Sequence, residues 1–565
     1  MKKILLLATI LWTGFSANAQ TTYEWAKSVG GLNYDNGNAI AVDNAGNVYV
    51  TGRFQRYVGV PVDFDPGVGV YNLEAIGQYD AFIVKLDSSG NFIWAKNIGG
   101  GITEGNSISV DAEGNVYTVG SFSYDADFDP SPTATFWLSA PYVILNNPTN
   151  IFALKLNSNG EFVWAKSIGG TFSDVATSLV LDSASNLFIA GTYTGTVDFD
   201  PNSGISNLVG AGSKDGFILK LDKSGNYIWA KAISGSSNDE IRAITLDDSG
   251  NIFATGQFDA TTDFDPSAAL YKIAGNGSFV LKLNPTGEFQ MAKGFITSGG
   301  VQANGIKVDA AGNIYTTGED QGNTDFDPGV ASYIFNQTPF ASDMFLSKLN
   351  SIGNFVWAKK IYTTSSDTSK GLVFDLLGNI YIVGSAYGST IRIENESLTI
   401  SPGLAGDYLT VLKFNPSGDL IGSNFIGSSI IGNAVALDSN QNIYTTGIFS
   451  STTDFNPDPA VFNITAVGYT DFFISKIKPS NLSVSEKIIF KDNFKIYPNP
   501  SNGNFNIEIE ESLISAKATV YNLLGQKIKE LPLKSSTTNQ FSNKGMYLIE
   551  IEKNGVKSTK KLIVN

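Results

Sequence analysis

Ala41-Val42-Asp43-Asn44-Ala45-Gly46-Asn47-Val48-Tyr49-Val50-Thr51-Gly52 is a stretch that the chain repeats. Equivalent runs end at Gly120, Gly191, Gly256, Gly318, Gly384 and Gly447, with the anchoring Asn at 47, 115, 186, 251, 313, 379 and 442. The spacing is about 66 residues, too long for one hairpin and right for four strands with a long loop. In the first unit we read strand A as Asn38 to Val42, B as Asn47 to Phe54, C as Ala81 to Leu86 and D as Asn91 to Ile98. Alternation of apolar and polar positions, rich in Val, Ile, Tyr and Phe, supports each strand. Asp43-Asn44-Ala45-Gly46-Asn47 and Asp87-Ser88-Ser89-Gly90-Asn91 are turns of one chemistry, in which Asp accepts backbone N–H groups and Gly supplies positive φ.

Five of the seven Trp residues share one phase, in the W-A-K of strand D: Trp25, Trp94, Trp164, Trp229 and Trp357. Met291 and Gly422 hold that place in the other units. Aromatic bulk once per sheet is what packs one sheet on the next. The first W-A-K precedes any strand A, and the last unit stops after strand C at Phe472 to Ile477. Tyr23 to Val29 is therefore expected to complete the seventh sheet and close a ring, hiding its edges. The predicted fold is all-β, a seven-bladed β-propeller closed by an N-terminal strand. Residues Gln20 to about Pro479 resemble the bacterial β-propeller repeat family whose units read GIAVD-x-x-GNVYVTG.

Met1 to Ala19 has the parts of a secretory signal: Lys2 and Lys3, an apolar run from Ile4 to Trp12, and Ala17 and Ala19 before Gln20. The predicted mature chain begins at Gln20, and no later segment is apolar enough to span a bilayer, so no membrane insertion is expected. With no Cys, the fold relies on core burial and strand pairing without disulfides. The formal net charge is −15, and because Phe494 to Asn565 holds ten Lys against six Glu, the acidic excess lies before it. Such a surface repels phosphate backbones, which argues against a nucleic-acid partner.

The repeat stops after Pro479, and residues 480–493 read as a linker. Residues 494–565 contain Tyr497-Pro498-Asn499-Pro500 with Gly503, then Val520-Tyr521-Asn522-Leu523-Leu524-Gly525-Gln526, Gly545-Met546-Tyr547-Leu548 and Lys560-Lys561-Leu562-Ile563-Val564. Short strands between Pro, Asn and Gly turns predict a small Ig-like β-sandwich. These four motifs resemble the type A sorting domain of the type IX secretion system of Bacteroidetes. The resemblance implies partners in that machinery and in a sortase-like peptidase, with release of the cargo or attachment to the outer cell surface. It places recognition or fold roles on Pro498, Gly503, Gly525, Gly545, Tyr547, Lys560 and Lys561.

The absence of His and Cys excludes Ser-His-Asp and Cys-His triads and ordinary zinc or copper sites. Four arginines, Arg53, Arg56, Arg242 and Arg392, are too scattered for an arginine cluster. Two carboxylate patterns remain. The D-F-D-P of the B-to-C connection pairs Asp63 with Asp65, Asp127 with Asp129, Asp198 with Asp200, Asp263 with Asp265 and Asp325 with Asp327, with Asp454 and Asn456 in the seventh unit. Such a pair suits calcium, which takes oxygen ligands, but supplies two of the six to eight required, and the following Pro forms turns. Asp35, Asp174, Asp239 and Asp367 stand eight residues before an A–B turn Asp, with Glu104 one position off and Glu240 adjacent. They are expected at the channel mouth, where Glu104, Asp239 and Glu240 are the candidate catalytic acids of a carbohydrate-active hydrolase or lyase. Acids present in most units read more simply as loop caps. The extra loop Ser131 to Asn150, with Trp137 and Tyr142, and the trio Arg53, Arg56 and Tyr57 are unrepeated, and suit glycan or protein contact. The leading expectation is a secreted or cell-surface binding module rather than an enzyme.

Overall fold

The structure, a computed structural model, describes residues 21–142, 147–335, 341–363, 365–388, 391–394, 399–400, 406–457, 460–479, 494–509, 517–522, 527–531, 536–541, 544–553 and 556–564. The signal segment expected at Met1 to Ala19, the linker at 480–493 and Gly525 lie outside the described residues. The chain divides into two compact units, up to Ser480 and from Asn481 on. Among the described residues every regular element is a β-strand.

In the first unit of sequence, strands A (Asp35–Val42), B (Val48–Gln55), C (Tyr79–Leu86) and D (Phe92–Ile98) pair antiparallel in chain order. The same order recurs with strands A beginning at Ile102, Val175, Asp239, Val301 and Thr368. The last sheet joins Ile430–Leu437, Ile443–Phe449 and Asp471–Pro479, and its fourth strand is Thr21–Val29, where Ala26 faces Ser475. Strands A and C start at Asp35 and Tyr79, ahead of the Asn38 and Ala81 expected, because ladder hydrogen bonds do not depend on side-chain polarity.

Each sheet is held by its turns, and several also by a cross-strand trio of Tyr, Lys and Trp. Asp43 Oδ1 accepts the N–H groups of Ala45 and Asn47, and its Oδ2 accepts Asn47 Nδ2 and the Tyr49 hydroxyl. Tyr49, Lys85 and Trp94 stand opposite one another on strands B, C and D, with the Lys85 ammonium 4.9 Å from the Tyr49 ring centroid. The trio recurs as Tyr117, Lys155 and Trp164 and as Tyr315, Lys348 and Trp357. Burial lowers the pKa of Lys85, Lys155 and Lys348.

Trp side chains also link neighbouring sheets. Trp94 Nε1 donates to Ser158 O and Trp164 Nε1 to Lys223 O, each in the C–D turn of the next unit, while Trp25 Nε1 donates to Ser88 O in the first. The first and last sheets share one hydrophobic cluster: Phe82 stacks on Phe472 at 4.4 Å, with Val50, Val84 and Ile474 packed around them. The middle residue of D-F-D-P is a core plug, since Phe64, Phe128, Phe199, Phe264, Phe326 and Phe455 are fully buried.

In the second unit, Phe494–Tyr497, Asn504–Ile509 and Ser536–Gln540 form one sheet. Lys527–Leu531, Lys517–Tyr521, Gly545–Lys553 and Val556–Val564 form another. Phe505, Ile507, Val520, Ile549, Ile551 and Leu562 share its core.

Candidate functional site

Every strand A carries a bulge, and in six of the seven the extra residue reaches the next sheet. Asn38 Nδ2 donates to Gly105 O, Asn106 Nδ2 to Ala176 O, Thr177 Oγ1 to Ile241 O, Asn304 Nδ2 to Ser369 O and Asn433 Nδ2 to Gly37 O, at 2.7–3.0 Å. Arg242 Nη1 approaches Asn304 Oδ1 at 3.4 Å. These residues escape a reading that pairs every residue of strand A with strand B. Their signal is a polar residue five places before the A–B turn Asp of every unit, as Asn38 is before Asp43 and Asn433 before Asp438.

The four acids expected to ring an open mouth do not do so, and that expectation is corrected. Asp35, Asp174, Asp239 and Asp367 are fully buried, because the D-to-A loop folds over them and needs acceptors for its inward N–H groups. Asp35 accepts Gly31 N and Gln55 N, Asp174 accepts Gly170 N and Thr194 N, and Asp367 accepts Thr363 N and Tyr387 N. Asp239 accepts the Thr262 hydroxyl at 2.6 Å. Burial pushes Asp35, Asp174 and Asp367 up to about 7 and Asp239 up to about 6, against the hydrogen bonds that favour the carboxylate.

A second set of buried acids, unnoticed in the sequence, opens strand C: Asp80, Asp215, Asp343 and Asp471. Each precedes a core Phe by two residues, at Phe82, Phe217, Phe345 and Phe473, which is the pattern that could have revealed them. Asp80 accepts Ile76 N and Gly77 N, and Asp471 accepts Val467 N. Asp343 pairs with buried Lys360 at 2.8 Å. Acids of the two sets meet between sheets, and the charges of Asp471, Asp215 and Asp343 help raise Asp35, Asp239 and Asp367 respectively.

Glu104 and Glu240 lie one register step farther along strand A than the buried acids, opposite Ser121 and Gln257. Both are clamped. Arg53 reaches Glu104 at 2.9 Å and Asn38 donates to its other oxygen, while Glu240 holds Arg242 at 3.0 Å and Lys214 at 3.5 Å. Asp239 and Glu240 are sequence neighbours on opposite faces, so the three candidate catalytic acids do not converge on one open point.

The D-F-D-P acids serve their own hairpins. Asp63 Oδ1 accepts Asp65 N and Tyr71 N, and Asp65 Oδ1 accepts Gly67 N. Asp127 with Asp129, Asp198 with Asp200, Asp263 with Asp265 and Asp325 with Asp327 repeat the scheme. Among the described residues no three acids gather as a metal cage.

A polar cavity of about 280 Å³ opens at the same end of the sheets as the buried acids, between the units that begin at Asp239 and Val301. Gln257, Asp259, Gln302, Glu319 and Gln321 line it. In the extra loop, Trp137 and Tyr142 are exposed, and Tyr142 lies 5.8 Å from Tyr124. Arg53 lies over the Tyr79 ring, Tyr57 is exposed, and Arg56 O accepts from Asn33.

In the C-terminal unit Pro498 and Gly503 flank Ser501, whose hydroxyl accepts Gly503 N. Gly545 opens the strand that pairs with Val556–Val564, and Tyr547 packs on Phe541 at 4.9 Å. Lys560 and Lys561 oppose Ile549 and Leu548.

Residues 24–53 match the model of the β-propeller repeat, and residues 495–565 that of the secretion system C-terminal sorting domain. The chain is 26% identical over 468 residues to an uncharacterized WD repeat-containing protein, L264, of Acanthamoeba polyphaga mimivirus, covering 76% of this chain and 31% of that one. It is 22% identical over 289 residues to the regulatory protein FlaEY of Caulobacter vibrioides, covering 50% and 29%. It thus spans about a third of the length of these curated relatives. Among solved structures it resembles Sqt1 from Chaetomium thermophilum, with 9% identity, a TM-score of 0.38, and coverage of 79% of this chain and 100% of that one. This is a chain of β-propeller repeats that ends in a type IX secretion system sorting domain, which marks it for export to the cell surface or beyond.

Proposed function

We propose that the protein is an exported binding module: a seven-bladed propeller, closed by Thr21–Val29, that presents its loop face to a glycan or protein. The signal at Met1 to Ala19 would take it across the inner membrane. The Ig-like tail from Phe494 would take it across the outer one, where a sortase-like peptidase would remove the tail along the 480–493 linker. Domain limits of 20–479 and 494–565 follow from this reading.

The observation that carries the binding role is the contrast between committed and free polar groups at the loop end. Asp35, Asp174, Asp239 and Asp367 are buried, and Glu104 and Glu240 are ion-paired, so a hydrolase lacks an open carboxylate pair among them. Gln257, Gln302 and Glu319 instead face a cavity without side-chain partners among the described residues. Incubating the full mature chain on a glycan microarray, with mass spectrometry of the bound glycans, tests this. Retention of intact glycans is expected; cleaved products would overturn the binding role, and no retention on any glycan would overturn the glycan as its ligand.

A further inference from the structure

We infer that the cavity between the units beginning at Asp239 and Val301 is the ligand subsite, and that it takes one neutral, hydroxyl-rich sugar unit. This rests on the binding role proposed above.

The cavity is built by loops that are already fixed. Thr297 Oγ1 accepts the N–H groups of Gly299 and Gly300, and Gln321 N donates to Gly300 O at 2.8 Å. Asn276 Oδ1 accepts Ala260 N, which holds the far wall of the cavity that Asn276 lines. A preformed wall spares a ligand the cost of ordering it.

A Gln and Glu pair is confined to the two sheets that flank the cavity. Glu319 stands opposite Gln302, and Gln257 stands opposite Glu240 at the equivalent place in the preceding sheet, whereas the other sheets pair Asn36 with Arg53, Glu104 with Ser121, Val175 with Thr192, Thr368 with Ser385 and Ile431 with Ile448. Neither blade packing nor turn formation calls for such a pair there, since those five sheets form without one.

Chemistry selects the ligand class. Side-chain amides of Gln257, Gln302, Gln321 and Asn276 offer donors and acceptors together, as sugar hydroxyls do, and Glu319 and Asp259 offer acceptors alone. Among the described residues no Lys or Arg lines the cavity, so a phosphate, sulfate or uronate would meet two carboxylates without a counter-charge. A simple amine would satisfy the carboxylates but leave the amide N–H₂ groups desolvated and unpaired. Vicinal hydroxyls meet both needs. The volume is just below the ~300–1,000 Å³ of pockets that enclose drug-sized ligands, so one sugar unit enters and any chain it belongs to continues outside.

The test is titration of the full mature chain with the neutral glycans retained on the array, methyl glucuronide and spermidine. Glu319→Gln, Gln257→Ala and Trp137→Ala are run in parallel, and melting temperatures confirm folding. We expect neutral glycans to bind, spermidine and the glucuronide to bind at least tenfold more weakly, and Glu319→Gln and Gln257→Ala to weaken glycan binding at least tenfold. Glycan binding unchanged in both cavity variants but lost in Trp137→Ala would overturn the cavity assignment and leave the binding role standing. Preference for the anion or the amine would overturn the ligand class. Failure of every glycan to bind would overturn the glycan as the ligand of the proposed binding role and, with it, the sugar subsite. Gln257 and Glu319 have no hydrogen-bonded side-chain partner among the described residues, so their replacement leaves the sheets intact.

Discussion

Asn433 Nδ2 donates to the carbonyl oxygen of Gly37 at 3.0 Å across 396 residues of chain, the same contact that Asn38 makes to Gly105 in the next unit. The junction between the last and first units is thus built like the internal ones. Lys476 Nζ and Trp25 Nε1, from the last sheet, both donate to Ser88 O in the first, which repeats the contact of Lys85 and Trp94 with Ser158 O.

Removing Thr21–Val29 exposes the edge of Asp471–Pro479, whose N–H and C=O groups then seek another chain. The shortened protein is expected to form dimers or larger species by light scattering, where the intact chain stays monodisperse. Asn433→Ala, which removes one hydrogen bond at the same junction, is expected to cost only about 1 kcal/mol in urea unfolding and to leave the oligomeric state unchanged.

Gly90 has φ near +79°, and a Cβ there would lie 2.9 Å from the Trp25 ring. Gly90→Ala is expected to destabilise by about 1–3 kcal/mol through strain and overpacking. In a Trp25→Ala background the overpacking part disappears and the cost falls to the backbone part alone. Equal costs in both backgrounds would show that the two residues do not touch.

The D-F-D-P motif acts through its Phe. Phe264→Ala is expected to cost about 3–5 kcal/mol, because a fully buried ring between Phe258 and Phe279 is lost. Calcium at millimolar concentration, compared with a chelator, is expected to leave the melting temperature unchanged, since Asp263 and Asp265 already accept the hairpin's own amides. A rise of several degrees would make these acids metal ligands.

The buried acids set a pH dependence of known sign. Asp35, Asp174 and Asp367, raised to about 7 chiefly by burial, bind protons more tightly folded than unfolded. Their contribution is full below about pH 4 and is lost as pH rises through 7. The urea midpoint is therefore expected to fall between pH 5 and pH 8. Asp367→Asn keeps an acceptor for Thr363 N and is expected to flatten part of that fall. A midpoint that rises over the same range would mean the loop amides outweigh burial.

Much of this protein is local and is determined by the sequence alone. The unit length, the four strands of each sheet, the Asp and Gly turns and the phase of Trp25, Trp94 and Trp164 all follow from neighbours a few residues apart, and short-range hydrogen bonding enforces them wherever the sheet sits. The sorting motifs are legible for the same reason. Burial and convergence are long-range, and only the tertiary structure decided them. Asp35 reads as a channel acid until the Gly31 loop folds over it, Asp80 and Asp471 go unnoticed until strand C is seen to start beneath a loop, and Phe64 looks like a spacer between two acids until it fills the core. The cavity depends on Gln257 and Glu319 meeting across 62 residues, because two sheets pack side by side and no pattern within either one specifies what faces the gap between them.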